Sequence, residues 1–403
     1  MAVFGVVAAT VVTSLHVYLY LRLVRDTTAD RRLRRVGKVL VVLLAVALAS
    51  ARFIYSRLPA SLSVPYATFS WLWMGLATYL VLTFVTVGFA RRTFQLGAWG
   101  WRRLRPAPAV APAEGLVPSE TPADASRRLF VSRLLAGSAL AVSSGFVGFG
   151  AYRAFEPPAL KDLALKLPGL PRALDGFRVV HLTDIHVGGI IEHRFMRELV
   201  DRCNALKPDL LVITGDMVDG DVPTLGPAIA ELRRSNARYG NYFCTGNHEY
   251  YSGADEWTQA LPSLGATPLR NRFVPIGEPG ASFDLIGVDD WGHRIGGGRG
   301  DGGYDLEAAT KGRDLSRPAV LLCHQPMGFD DAVAKGVGLQ LSGHTHGGQF
   351  FPATVVAEYL WRYPAGHFTL GDSHIFVSRG CGFWGPPLRL GSHSEIIQLT
   401  LLS

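Results

Sequence analysis

Cysteine is scarce in this chain: four among 403 residues, Cys203, Cys244, Cys323 and Cys381, with no CxxC pair among them. That spacing excludes a small-domain disulfide framework, and the four read as free thiols packed as small hydrophobes. Polar faces are missing too. Four apolar runs, Val3–Leu23, Val36–Tyr55, Phe69–Phe89 and Leu134–Tyr152, lack the polar residues at helical spacing that a surface helix of a soluble domain needs. A basic surplus is absent from the longer, later part of the chain. The net charge is +7, yet after Phe155 acidic residues outnumber basic ones. The charge therefore gives no support to nucleic-acid binding. No internal repeat is visible.

What is present before Phe155 reads as membrane. Each run is close to the ~20 residues that carry a helix across a bilayer. Arg22, Arg25, Arg31, Arg32, Arg34, Arg35 and Lys38 separate the first two runs. Arg91, Arg92, Arg102, Arg103, Arg105, Arg127, Arg128 and Arg133 separate the last two, whereas the loop between the second and third holds only Arg57. Positive loops stay inside. The expectation is a multi-pass protein of the cytoplasmic (inner) membrane with four spans, an outside N-terminus and everything after Tyr152 on the extracytoplasmic side. By residue this gives three transmembrane helices in 1–105, a linker in 106–128, a fourth transmembrane helix in 129–155 and a globular domain in 165–403.

The Pro/Ala-rich stretch Pro106 to Ala125 reads as a disordered linker. It runs into Ser126-Arg127-Arg128-Leu129-Phe130-Val131, directly before the fourth apolar run. This resembles a twin-arginine export signal placed internally, which would make the twin-arginine translocase a partner and deliver the domain already folded. The same arginines also read as ordinary positive-inside residues, and both readings stand.

From Leu165 to Ser403, strand-like apolar runs alternate with helical stretches. The runs are Phe177–Leu182, Leu210–Thr214, Gly240–Cys244, Phe283–Val288, Ala319–Cys323, Gly338–Leu341, His374–Ser378 and Glu395–Leu401, and Arg194–Leu206 has helical spacing. This is an α/β signature that becomes strand-rich later. Five strand ends carry metal-ligand chemistry: Thr183-Asp184-Ile185-His186, Thr214-Gly215-Asp216, Thr245-Gly246-Asn247-His248-Glu249, Leu322-Cys323-His324 and Ser342-Gly343-His344-Thr345-His346. Sites in open α/β sheets gather outside the carboxyl ends of strands. Without a metal, such a set would be buried polar groups with nothing to satisfy them.

Asp-x-His, Gly-Asp, Gly-Asn-His-Glu, a lone His and Gly-His-Thr-His, in this order and spacing, resemble the calcineurin-like metallophosphoesterases. Gly343 to Gln349, Ser378-Arg379-Gly380 and Trp384-Gly385-Pro386-Pro387 resemble its bacterial membrane-anchored branch, which includes UDP-2,3-diacylglucosamine hydrolases and phosphodiesterases. The resemblance implies a four-layer α/β sandwich, two mixed sheets flanked by helices, behind the N-terminal transmembrane α-helices. It implies two divalent metal ions, one held by Asp184, His186 and His346, the other by Asn247, His324 and His344, with Asp216 bridging. Such a carboxylate, imidazole and amide shell suits Mn, Fe or Zn. Two ions can share a hydroxide that attacks phosphorus in line and can clamp the phosphoryl oxygens. His248 matches the general acid and Asp219 the carboxylate that orients it. Gly220 stands where the phosphoprotein phosphatases have Arg, which speaks against a protein-phosphatase activity. The expected function is hydrolysis of a phosphate ester, a phosphodiester or pyrophosphate; the alternative is an inactive metal-binding or sensory module.

Other polar residues take plainer readings. His181, His193, His293, His367, His374 and His393 read as packed or hydrogen-bonded histidines, and Asp209 and Glu249 as solvated or capping residues. Gly296–Gly303 reads as a mobile flap or a plain loop and lacks the strand-before, helix-after context of a phosphate loop. Phe350, Phe351, Tyr359, Leu360, Trp361 and Tyr363 form either an apolar wall facing membrane lipids, suited to a lipid-linked substrate, or an ordinary core edge.

Overall fold

The computed structural model describes residues 2–55, 58–104, 122–291 and 303–403, in two compact units, Met1–Phe149 and Gly150–Ser403. The first unit is helical: α1 (Ala2–Tyr20), continued by a wider turn to Arg25, α2 (Arg31–Tyr55), α3 (Ala60–Leu104) and α4 (Pro122–Phe155), whose last residues enter the second unit. Asp30 starts α2 by accepting the free N–H groups of Arg32 (2.6 Å) and Leu33 (3.3 Å). Its core is small, formed by Leu19, Ala77, Leu80 and Ala139, while Val6, Leu40, Phe89 and many like them point outward. That inversion suits an apolar solvent. Inside, Trp73 Nε1 donates to His16 Nε2 at 2.9 Å, and His16 Nδ1 to the Val12 carbonyl at 2.8 Å, so the polar groups are satisfied internally.

Among the described residues three helices are long and apolar enough to cross a membrane: Gly5–Arg25, Ser61–Leu104 and Ser126–Phe155. The expected second span, Val36–Tyr55, lies in α2, and side chains near its end fall outside the described residues. Arg31, Arg32, Arg34, Arg35 and Lys38 load the first two turns of that helix with charge. Residues 105–121 lie outside the described residues, but α4 already starts at Pro122, a residue suited to a first helical turn. Arg127 and Arg128 consequently sit within α4.

Among its described residues the second unit holds twelve strands: β1 (Ala159–Lys166), β2 (Phe177–Leu182), β3 (Leu210–Thr214), β4 (Asn241–Cys244), β5 (Thr267–Pro268), β6 (Arg272–Glu278), β7 (Ala281–Gly287), β8 (Ala319–Leu322), β9 (Leu339–Ser342), β10 (Gly366–Leu370), β11 (Ser373–Val377) and β12 (Glu395–Leu402). Between them run α5 (His193–Ala205), α6 (Val222–Ile229), α7 (Asn247–Ser252), α8 (Ala254–Leu264), α9 (Leu306–Thr310), α10 (Phe329–Ala334) and α11 (Ala353–Leu360). The strands form two six-stranded mixed sheets, ordered β1-β12-β2-β3-β4-β5 and β10-β11-β9-β8-β7-β6. The period of two along each strand sorts the side chains. Leu210 and Val212 join Phe283, Leu285, Val320 and Leu339 between the sheets, whereas Leu211 and Ile213 face Met196, Val200, Trp257 and Leu261 of α5 and α8. Ile286 and Leu321 pack on Leu306 and Ala332 of α9 and α10. The result is helix, sheet, sheet, helix.

The unit begins earlier than residue 165. β1 pairs in parallel with β12 from Ala159↔Glu395 onward, yet its side chains are mostly exposed. An exposed edge strand carries little apolar signal. All four cysteines are buried and free.

Candidate metal centre

The parallel strands β2, β3, β8 and β9 end together, and the residues that follow them leave the sheets in strained backbone. Asp184, His186, Asp216, His344 and His346 all have φ between 50° and 70°, five of the eight positive-φ non-glycine residues described. Such conformations cost about 1–3 kcal/mol each and persist where surroundings over-determine them. Here they do: Asp184 N–H donates to the Gly215 carbonyl (3.1 Å) and His186 N–H to that of Asp216 (3.0 Å). His344 N–H donates to Asp184 Oδ2 at 2.9 Å.

Glycines make the crossing of these loops possible. A Cβ on Gly246 would lie 2.2 Å from Asp216 Oδ1, and one on Gly343 2.2 Å from Asp184 Oδ2. The glycine of each block is thus the gap into which a carboxylate of another block fits.

All seven expected ligands and both expected catalytic residues converge. His346 Nε2 lies 3.1 Å from His186 Nε2 and 3.3 Å from Asp184 Oδ1. Asp216 Oδ2 lies 3.1 Å from His324 Nε2, which is also 3.2 Å from Asn247 Oδ1 and 3.1 Å from His344 Nδ1. Three donor clusters result, Asp184/His186/His346, His186/Asp216/His248 and Asp216/His324/His344, each with its donor atoms within 4.8 Å of one another.

The chemistry of these contacts fits a cation. His324 Nδ1 donates to the Thr214 carbonyl at 2.8 Å, which leaves Nε2 of the neutral ring as a lone pair. That lone pair faces a carboxylate oxygen, an amide oxygen and a second imidazole nitrogen. Buried acceptors facing acceptors are costly unless a positive charge sits among them. The ring in this state shows the demand. Burial alone would lower the His324 pKa, but Asp216 and then Asp184 raise it well above the usual range. Asp184 is pushed up by burial, and His344 is pulled down to about 3 by burial and by His324.

Asp219 and His248 sit beside the clusters. Asp219 Oδ1 accepts from His248 Nδ1 at 2.5 Å and from His186 Nδ1 at 3.2 Å. Burial opposes ionisation of Asp219, yet the two imidazoles hold its carboxyl well below the usual range. His248 is raised to about 9, burial being outweighed by Asp216 and Asp219. Its ring is met edge-on by Tyr251 (5.3 Å) and Trp384 (5.6 Å).

Three residues that shape the centre carry no such signal in the sequence reading. Glu249 is fully buried, and its carboxylate accepts the N–H groups of Gly246 (2.7 Å), Met217 (2.8 Å), Asp216 (2.9 Å) and Val218 (3.3 Å). It is a cap, as one of the two expectations had it, and also the clamp on the Asp216 loop. The other expectation, solvation, is wrong because the side chain is needed inside. Arg389 is fully buried and donates to the His346 carbonyl (3.3 Å) and to His346 Nδ1 (3.2 Å), with burial pulling its guanidinium down to about 10. Gln349 binds the carbonyls of Trp384 and Pro386 and the Trp384 N–H, joining the metal loop to the Trp384–Pro387 tail. A pairing between position 349 and the tail, both in quoted motifs, was the available clue.

The remaining histidines stay outside the clusters. His181 Nε2 meets Thr214 Oγ1 at 2.7 Å, His193 pairs with Glu231, His367 stacks on His374, and His393 meets Arg153. Asp209 accepts the Arg178 N–H. His293 and most of Gly296–Gly303 lie outside the described residues.

This chain belongs to the calcineurin-like phosphoesterase family, whose pattern matches residues 177–348. It has the family's fold, and its carboxylate and imidazole clusters are groups that could hold metal ions. It is 34% identical to an uncharacterized metallophosphoesterase of Helicobacter pylori strain J99, over 64% of this chain and 68% of that one. It is 33% identical to another from Aquifex aeolicus, over 62% of this chain and 95% of that one. A Bos taurus "transmembrane protein with metallophosphoesterase domain" is 38% identical over 62% of this chain. The match spans only 59% of that bovine relative and 62% of its Danio rerio counterpart.

Proposed function

We propose that this is a membrane-anchored dimetal phosphohydrolase that cleaves a phosphodiester or pyrophosphate on the extracytoplasmic side of the cytoplasmic membrane. The observation that carries it is the ring of acceptors around His324 Nε2, which fits a divalent ion, set beside an oriented imidazole, His248. Asp184, His186 and His346 would hold one ion, Asn247, His324 and His344 the other, with Asp216 shared; Mn, Fe and Zn all suit the set. When bound, two such ions supply a water-derived nucleophile and neutralise phosphoryl charge.

The chain's own residues do the rest. Asp219 accepts from His248 Nδ1 and so turns Nε2 towards the centre, 4.0 Å from Asp216 Oδ2. In its protonated form His248 gives its Nε2 proton to the leaving oxygen and keeps the Nδ1 proton hydrogen-bonded to Asp219. Tyr251 and Trp384 flank the ring and limit its rotation and its access to water. Arg389 and Glu249 hold the two loops that carry His346 and Asp216.

Within the family we favour the phosphodiesterase-like members of the membrane-anchored branch over its UDP-2,3-diacylglucosamine hydrolases. The sugar nucleotide of the latter is cytoplasmic, whereas the arginine-rich loops favour an outside catalytic unit. Three spans in place of four would reverse that side, so the topology needs its own measurement: proteolysis of intact spheroplasts degrades an outside unit and spares an inside one. Export through the twin-arginine translocase is tested by replacing Arg127 and Arg128 with Lys, which should block it.

The function itself is tested on the full-length protein in detergent. With added Mn, an aryl phosphodiester should be hydrolysed, chelation should abolish turnover, and metal analysis should find two ions per chain. Two bound ions without turnover on any diester or pyrophosphate would instead identify a binding or sensory module.

A further inference from the structure

Exposed large apolar side chains are concentrated in one place in the second unit. Of the thirteen described there, Phe351, Val355, Val356, Tyr359 and Leu360 fall within ten residues, in and just before α11. At 100° per residue the four on the helix occupy an arc of about 140°. Ala357, on the other face, is buried. Tyr359 is 87% and Leu360 75% exposed, values that waste apolar area in water.

The elements beneath this face continue to the end of a membrane-crossing helix. Gly150–Phe155, the last residues of α4, belong to the second unit. Arg389 N–H donates to the Gly150 carbonyl at 2.9 Å, Phe155 meets Phe383 at 5.5 Å, and Ala154 packs with Ile191 and Phe383. One residue on, the Leu390 carbonyl accepts the N–H of Phe351 at 2.9 Å, and Phe350 bridges to Leu390 and Gly391. The exit of the span and the start of the apolar face therefore share one short segment. Tyr152 and Phe155 are themselves exposed. Only three residues separate Phe155 from β1, so this end of the unit is tethered within about 10 Å of the end of that helix.

We propose that the outer face of α11 rests in the headgroup–acyl boundary of the bilayer and holds the metal centre at the lipid surface. Its length and its Tyr and Leu suit an interfacial helix, which buries one face by about 5–10 Å and spans nothing. The contact reaches the centre directly. Trp361 follows Leu360, and its ring meets His344 edge-on at 5.3 Å. The proposal rests on membrane attachment and does not require any particular substrate.

The test uses the full chain in nanodiscs of phosphatidylethanolamine and phosphatidylglycerol. The four native cysteines are buried, so Tyr359→Cys and Leu360→Cys each accept an environment-sensitive fluorophore at one site. Leu315→Cys, 77% exposed and before the opposite end of β8, is the aqueous control. Nitroxide-labelled lipids should quench the first two labels several-fold more than the third, and aqueous iodide should do the reverse. Equal quenching at all three overturns the proposal. So does protection from iodide without quenching by lipid, which would mean that protein covers the helix. Diester hydrolysis by the same samples is read separately, so loss of that activity and loss of the lipid contact cannot be confused.

Discussion

Asp219 Oδ1 lies 2.5 Å from Nδ1 of His248 and also accepts from His186 Nδ1 at 3.2 Å. One carboxylate oxygen thus orients both the proposed acid and a proposed metal ligand. Removing its charge should disturb catalysis more than folding, since the side chain is 29% exposed. Asp219→Asn is expected to lower kcat about 10²-fold, within the usual range for general acid–base catalysis. His248→Ala should cost far more with alkyl leaving groups than with p-nitrophenolate, which departs without a proton. Parallel kcat measurements on the two ester types check this; equal losses would remove His248 from the role of acid.

His324 serves one cluster only, whereas Asp216 belongs to two. His324→Ala should lower metal content from two ions per chain to about one, and Asp216→Asn should lower it further. Elemental analysis after gel filtration reads both outcomes without any need for activity. Such ligand losses make metal affinity, and with it stability, fall together.

Glu249 satisfies four backbone N–H groups in a fully buried place. Glu249→Gln turns an acceptor-only group into one with two donors aimed at other donors. The expected loss is about 1–3 kcal/mol, more for Glu249→Ala. In a domain this size each kcal/mol lowers Tm by roughly 2–4 °C. Thermal scans of the metal-stripped protein against wild type decide it.

His181 is buried, with a pKa pulled down by burial to about 3 from 6.5. The unfolded chain takes up this proton near pH 6.5 and the folded chain does not. Stability therefore falls as pH drops from 6.5 towards 3, by roughly 1.4 kcal/mol per pH unit for this one group. His181→Gln keeps a partner for Thr214 Oγ1 and should flatten the acid side of the profile. Denaturant midpoints of the metal-stripped protein at pH 5 and pH 7 measure the slope.

Much of the centre was legible because most of the ligands follow β-branched or Leu-rich runs that form parallel strands. Asp184 after Val179–Leu182, and Asp216 after Leu210–Thr214, needed no knowledge of loop geometry. The left-handed backbone at Asp184, His186 and His346 was not legible, since no propensity favours it there and tertiary bonds impose it. Arg389 was missed for a related reason: its partners are carbonyls and a ring nitrogen of residues 382 and 346, with no carboxylate nearby in sequence to suggest a pair. β1 escaped because edge exposure erased its pattern.

The fit of Gly246 against Asp216 and of Gly343 against Asp184 has a consequence for how such a chain can change over generations. Each glycine is the complement of a carboxylate carried by a different strand. A substitution at one block is tolerated only with a matching retreat at another, distant in the chain. The intervals between blocks carry no such obligation, so insertions and deletions can accumulate there. Gly246 and Asp216, and likewise Gly343 and Asp184, are therefore constrained as pairs although they lie far apart in the chain.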